Sequence, residues 1–96
     1  MTELETRKDA IALTLEMCIS ECFTNEQKHR LRDIQLCFNR HRDGMFPDIV
    51  SRWENYSNQI FGIFLEMGEE TITSQRQANL SNEVNQLIAT MYIGKL

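Results

Sequence analysis

The sequence predicts an all-α fold: an antiparallel bundle of four helices, or of three if the first two are continuous. Three observations predict it. Apolar residues recur at helical spacing in four stretches, Leu4/Ile11/Leu15/Cys18, Leu31/Ile34/Phe38, Ile49/Trp53/Ile60/Phe64/Met67 and Leu80/Val84/Leu87/Met91. Helix-capping residues, a proline and glycines separate these stretches. With 1 Pro, 4 Gly and few runs of β-branched residues, the composition favours helix over sheet.

Helix 1 is expected from Thr2 to Cys22. Thr2 and Glu5 have capping-box spacing, in which each side chain satisfies the other residue's backbone N–H. Ala12, Ile19 and Phe23 widen its stripe. Leu13 and Met17 fall outside the stripe, which implies covering on more than one side. A second box, Thr24 and Gln27, starts helix 2, which runs to Arg42, before Asp43-Gly44. The gap between these helices is one or two residues. It is read as a tight turn or as a kink in one long helix, because Glu21 to Thr24 holds no Gly or Pro to force a reversal.

Pro47 suits the first turn of helix 3, where its missing N–H leaves no bond unmade. The helix is expected to end at Met67, with Gly68 as a left-handed stop. Carrying Trp53, Tyr56, Phe61 and Phe64, it is the candidate central helix. Helix 4 begins at Thr73 or Ser74, with Ser74 and Gln77 at capping-box spacing, and ends near Ile93. Gly94 is its stop, and Lys95 complements the helix dipole. Phe23-Thr24 ahead of Leu31 echoes Ile72-Thr73 ahead of Leu80; both read as helix starts obeying one set of rules, not as a duplication. Short connections predict that helices adjacent in sequence pack side by side.

The 96 residues allow one domain, 1–96, whose stability margin is thin; dimerisation is a common remedy. The hydrophobic share of 42% argues against disorder. A net charge of −4 gives no push toward nucleic acid or an anionic membrane. Met1 to Lys8 is charged, and Glu16 and Glu21 interrupt the apolar stretch that follows, so neither a signal peptide nor a spanning helix is read. Three Cys in no tight framework fit a reducing, cytoplasmic setting.

Cys18/Cys22 and Cys37/His41 are i, i+4 pairs that together have the ligand types of a Cys3His zinc site. In a hairpin turning near Phe23, however, Cys37 stands about 20 Å along the axis from the first pair. The cysteines are therefore expected as small core residues, with no metal and no cofactor. Lys28, Arg30, Arg32, Arg40 and Arg42 make helix 2 basic. They are spread around the helix without interleaved aromatics, so they are expected to pair with Glu5, Asp9 and Glu16 of helix 1, with Glu83 of helix 4, or with an acidic partner. Glu66, Glu69 and Glu70 match no metal loop, and Ser20, Ser51 and Ser57 lack a nucleophile-elbow context. No catalytic residue is assigned.

Within Lys28-His29-Arg30-Leu31-Arg32-Asp33, the His-x-Leu-Arg segment resembles the helix of histidine phosphotransfer domains, themselves helical bundles of about this size. The resemblance covers four or five residues and departs from the pattern at Asp33, where that family usually has Gly. It implies a phosphoryl-accepting His29 steadied by Arg32. The leading expectation is different: a non-enzymatic, homodimeric adaptor, inhibitor or regulator that docks a helical apolar surface. Trp53, Tyr56, Phe61, Phe64 and Leu65 are its expected contact residues, because helix 3 is apolar over more than half its circumference. A nucleic-acid-associated regulator using helix 2 is the third expectation.

Overall fold

A computed structural model of the chain describes residues 2–19 and 23–94. Four helices follow in order, α1 (Glu3–Cys18), α2 (Asn25–His41), α3 (Pro47–Met67) and α4 (Ser74–Gly94), with a short 3-10 turn at Arg42–Gly44. The bundle measures 42 × 23 × 19 Å. No described helix is long and apolar enough to cross a membrane.

The caps explain most of the boundaries. Thr24 Oγ1 accepts the Gln27 N–H at 3.1 Å, and Gln27 Oε1 accepts the Thr24 N–H at 3.0 Å, so this box is complete. Thr2 accepts from the Glu5 N–H at 3.2 Å, whereas the Glu5 carboxylate turns to Lys8 Nζ at 3.4 Å. At α4 the cap is Thr73, whose hydroxyl accepts the Arg76 N–H at 3.1 Å; the expected Ser74–Gln77 box sits one residue too late. Thr24 and Thr73 are therefore equivalent starts, as the echo between them implies.

Two expected ends shift, and the stop after Met67 takes a different form. Helix 1 stops at Cys18 instead of Cys22, because the Ile19 N–H turns back to Glu16 O and Ile19 leaves helical geometry at φ −79, ψ 84. Cys18 and Phe23 are both buried, so the connection is anchored in the core at each side. The connection is thus longer than one or two residues, and Cys22 lies outside the described residues. Helix 2 ends at His41, and Arg42 begins the 3-10 turn. Gly68 is right-handed at φ −83, so the left-handed stop does not form; its N–H closes the helix on Phe64 O and Leu65 O. Lys95 lies outside the described residues.

Paired contacts set the directions. Arg7 bonds Glu54 near the start of both α1 and α3, and Phe23, just past the end of α1, packs edge-on to Phe64 near the end of α3. These two helices run parallel and form the most extensive pairing in the chain. Gln27 meets Ser81 and Asn85, and Asp33 meets Tyr92, so α2 and α4 also run parallel. The hairpins α1/α2 and α3/α4 are antiparallel, and a reversal, not a kink, joins the first two helices. Around the bundle the order is α1, α2, α4, α3. Helices α2 and α3 are consecutive in sequence yet sit on a diagonal, joined across the core by Phe38 on Trp53, with ring centroids 5.2 Å apart.

The core contains the predicted stripes with instructive exchanges. Val50, fully buried, takes the place given to Ile49, because Val50–Trp53–Ser57–Ile60–Phe64–Met67 keeps the 3-4 alternation without a gap. Ile88 joins Leu80, Val84, Leu87 and Met91. Three polar residues are buried too: Ser57, bonded to Glu54 O at 3.0 Å; Gln27; and Lys8, whose ammonium pairs with Glu5.

Candidate functional site

Of the five contact residues expected on α3, Trp53 is not at the surface. It is 2% exposed, against Phe38 and edge-on to Tyr56 at 6.1 Å, because it sits on the inward face that Val50 and Ile60 define. Phe64 is half-buried between Phe23 and Phe61. Tyr56 is half-buried on the opposite flank, toward α4. Only half-buried Phe61 and 54%-exposed Leu65 remain on the flank toward α1.

That flank continues onto α1. Arg7 Nη2 reaches Glu54 Oε1 at 2.5 Å and Ser51 Oγ at 3.0 Å, which fixes the register of the parallel pair. Met17 is ten residues beyond Arg7 and Leu65 eleven beyond Glu54, so both lie about 15 Å further along, at one level. Leu13 and Phe61 share a level one turn earlier. Met17 is 49% and Leu13 58% exposed; neither is covered within the chain. The sequence signal was their position off the α1 stripe, but without the parallel α1–α3 pairing nothing joined them to Leu65. Gly62, mid-helix and exposed beside Phe61, has open space where a Cβ would stand.

Ion pairs tie α3 to both of its neighbours. The Arg7 guanidinium, by its hydrogen bonds to Glu54, holds that carboxyl below the usual carboxylate range. Arg76 does the same for Glu66 across the α3–α4 turn, so Glu66 is a structural partner and not part of an acid–base pair with Glu69 or Glu70.

A groove of about 440 Å³ between α3 and α4 is lined by Tyr56, Gln59 and Ile63 on one side and by Glu83, Gln86 and Leu87 on the other. It brings together the Glu83 carboxylate, two amides and the hydroxyls of Tyr56 and Thr90, and Thr90 Oγ1 donates to Gln86 O at 3.0 Å. Cys18 is fully buried, and burial pushes its thiol up to about 11. Cys37 is half-buried and His41 exposed. No group of three or more His, Cys, Asp or Glu side chains comes together among the described residues in a way that can hold a metal.

His29 projects from α2 with its side chain 79% exposed, and Asp33 Oδ2 lies 4.0 Å from its Nε2. Asp33 also accepts the Tyr92 hydroxyl at 3.1 Å; burial, then this bond, holds the Tyr92 phenol above its ordinary value. Arg32 is exposed. The basic residues of α2 do not pair as expected with Glu5, Glu16 and Glu83. Arg42 reaches Asp9 of α1 and Arg30 pairs with Glu26 of its own helix, while Glu5 is taken by Lys8. Lys28, Arg32 and Arg40 have no ion pair among the described residues.

Fold and surface define an all-α four-helix bundle with exposed apolar side chains on two of its faces. Comparison with known proteins finds no matching family model, no matching curated protein and no matching solved structure.

Proposed function

We propose that this protein is a non-enzymatic protein–protein interaction module, a small homodimeric adaptor or regulator that docks a helical apolar surface on another protein. The observation that carries the reading is the level alignment of exposed Met17 on α1 with exposed Leu65 on α3, with Leu13 and Phe61 one turn away. Single exposed apolar residues are ordinary, but aligned ones on adjacent helices form a continuous strip that water covers poorly. The expected contact surface thus narrows from Trp53–Leu65 to Phe61 and Leu65, and gains Leu13 and Met17.

The test is a comparison of wild type with the Met17→Lys/Leu65→Lys variant as bait in extracts of the cells that express it. Loss of a discrete co-purifying protein, with an unchanged melting temperature, supports the reading. Equal recovery by both baits contradicts it.

A second reading, phosphotransfer through His29 with Arg32, draws on the exposure of that imidazole. The Asp33 carboxylate beside it opposes the approach of a phosphoryl group. This reading predicts an acid-labile, base-stable phosphate that disappears in His29→Ala.

A further inference from the structure

A second exposed apolar feature shares Leu13 with that strip and extends the other way, across the α1–α2 hairpin. Leu36 of α2 is 61% exposed and Leu13 of α1 is 58% exposed. The bond between Arg42 and Asp9 sets the register of this antiparallel pair. Leu13 lies four residues from Asp9, and Leu36 lies six residues from Arg42. At 1.5 Å per residue the two leucines are within about 3 Å of one level.

Each leucine is bracketed by charge, with opposite sign on the two helices. Asp9, Leu13 and Glu16 fall at i, i+4 and i+7 of α1, on one outward ridge. Arg32, Leu36 and Arg40 fall at i, i+4 and i+8 of α2. Arg32, Arg40 and Glu16 are exposed and have no ion pair among the described residues. The face therefore presents an acidic ridge and a basic ridge side by side, each with a leucine at its centre.

We propose that this face binds a second copy of the chain, related by a two-fold axis running parallel to the helices. Such an axis preserves level and exchanges sides, so α1 of one copy lies over α2 of the other. Leu13 then meets the second copy's Leu36, Glu16 comes within side-chain reach of its Arg32, and Asp9 of its Arg40. Every contact occurs twice. The charges select this axis: a two-fold perpendicular to the helices sets acidic ridge on acidic ridge and basic on basic, which is repulsive. Nucleic acid fits the face less well, because the acidic α1 ridge runs beside the cations and a leucine interrupts them.

The inference extends the interaction-module reading to a second face. It uses Leu13 at the edge of the α1–α3 strip, leaves Met17, Phe61 and Leu65 free for a different protein, and does not depend on their being occupied.

Sedimentation equilibrium of the full chain across a wide concentration range tests it. The wild type is expected to be a dimer that Leu36→Lys converts to monomer. Arg32→Glu and Glu16→Arg each weaken the dimer by roughly tenfold or more, and the double variant recovers most of that loss. All these positions are exposed, and circular dichroism verifies the fold of each variant. A wild type monomeric at every concentration overturns the inference and the homodimeric part of the proposed function, while leaving docking through Met17, Phe61 and Leu65 intact. A dimer insensitive to Leu36→Lys but abolished by Leu65→Lys overturns it by placing the second copy on the other face. Failure of the double variant to recover overturns the axis. Binding of a DNA or RNA oligonucleotide by a monomeric wild type, lost in Arg32→Glu, assigns the face to nucleic acid instead.

Discussion

Gln27 Nε2 donates to Asn85 Oδ1 at 3.0 Å, tying the first turn of α2 to the middle of α4. The same amide nitrogen reaches Ser81 O at 3.2 Å and Ser81 Oγ at 3.1 Å, while its oxygen caps α2 at Thr24. One side chain, 2% exposed, thus closes a helix start and joins two parallel helices. Gln27→Leu removes all of these bonds and leaves the half-buried Ser81 without its partner on α2. A loss of about 2 kcal/mol is expected by urea denaturation. Thr24→Ala, which removes only the cap, is expected to lose about 1 kcal/mol. The two losses share the capping box, so the double variant falls short of their sum. A Gln27→Leu loss no larger than that of Thr24→Ala contradicts the bridge.

Acid stability is expected to follow Glu54 and Glu66, whose carboxyls are held low by hydrogen bonds from Arg7 and Arg76. Their native-state affinity for protons is below that of the unfolded chain. The stabilisation is therefore complete above the ordinary carboxylate range and disappears as pH falls through the lowered values. Arg7→Met and Arg76→Met should each flatten the acid limb of a plot of melting temperature against pH, with little change in its shape above pH 6. An acid limb identical to wild type in both contradicts the assignment.

The thiols separate by burial. With the Cys18 thiol pushed up to about 11, about one molecule in a thousand carries its thiolate at pH 8. Peptide mapping after brief iodoacetamide treatment of the native chain should find Cys37 modified well before Cys18. In urea the difference should vanish. Faster labelling at Cys18 contradicts the core position at the end of α1.

Gly62 is a helix-interior glycine with no neighbour for a Cβ to strike. Gly62→Ala is expected to raise stability by roughly 0.5–1 kcal/mol, since it restores helix propensity at an open site. If a partner packs closely on this face, the same substitution weakens the complex. A stabilised chain with weakened association is the combined outcome expected; a destabilised chain contradicts the open geometry.

Much of the fold was legible, for local reasons. Thr24, Gln27, Pro47 and the 3-4 alternation of α3 act within a turn of themselves, so the sequence alone places those starts and faces. What it missed was set at a distance. The end of α1 depends on Cys18 and Phe23 both entering the core, which no local cap announces. Lys8 reads as a surface charge, yet it is buried with its ammonium on Glu5. The diagonal placement of α2 and α3 follows from which helices run parallel, and no connection length encodes that. The candidate surface was half legible for the same reason. Phe61 and Leu65 stand out as surplus apolar residues on α3, but Leu13 and Met17 join them only through the parallel α1–α3 pairing, and Trp53 leaves the surface once Val50 fixes the inward face.

The most direct test of the account places a photo-crosslinking residue at position 65 in the cells that express the protein, with position 82 on exposed α4 as control. The account predicts a discrete protein adduct at position 65, reproduced at position 17 and missing at position 82. Equal labelling at all three positions, or none at 65 and 17, contradicts an apolar docking face between α1 and α3.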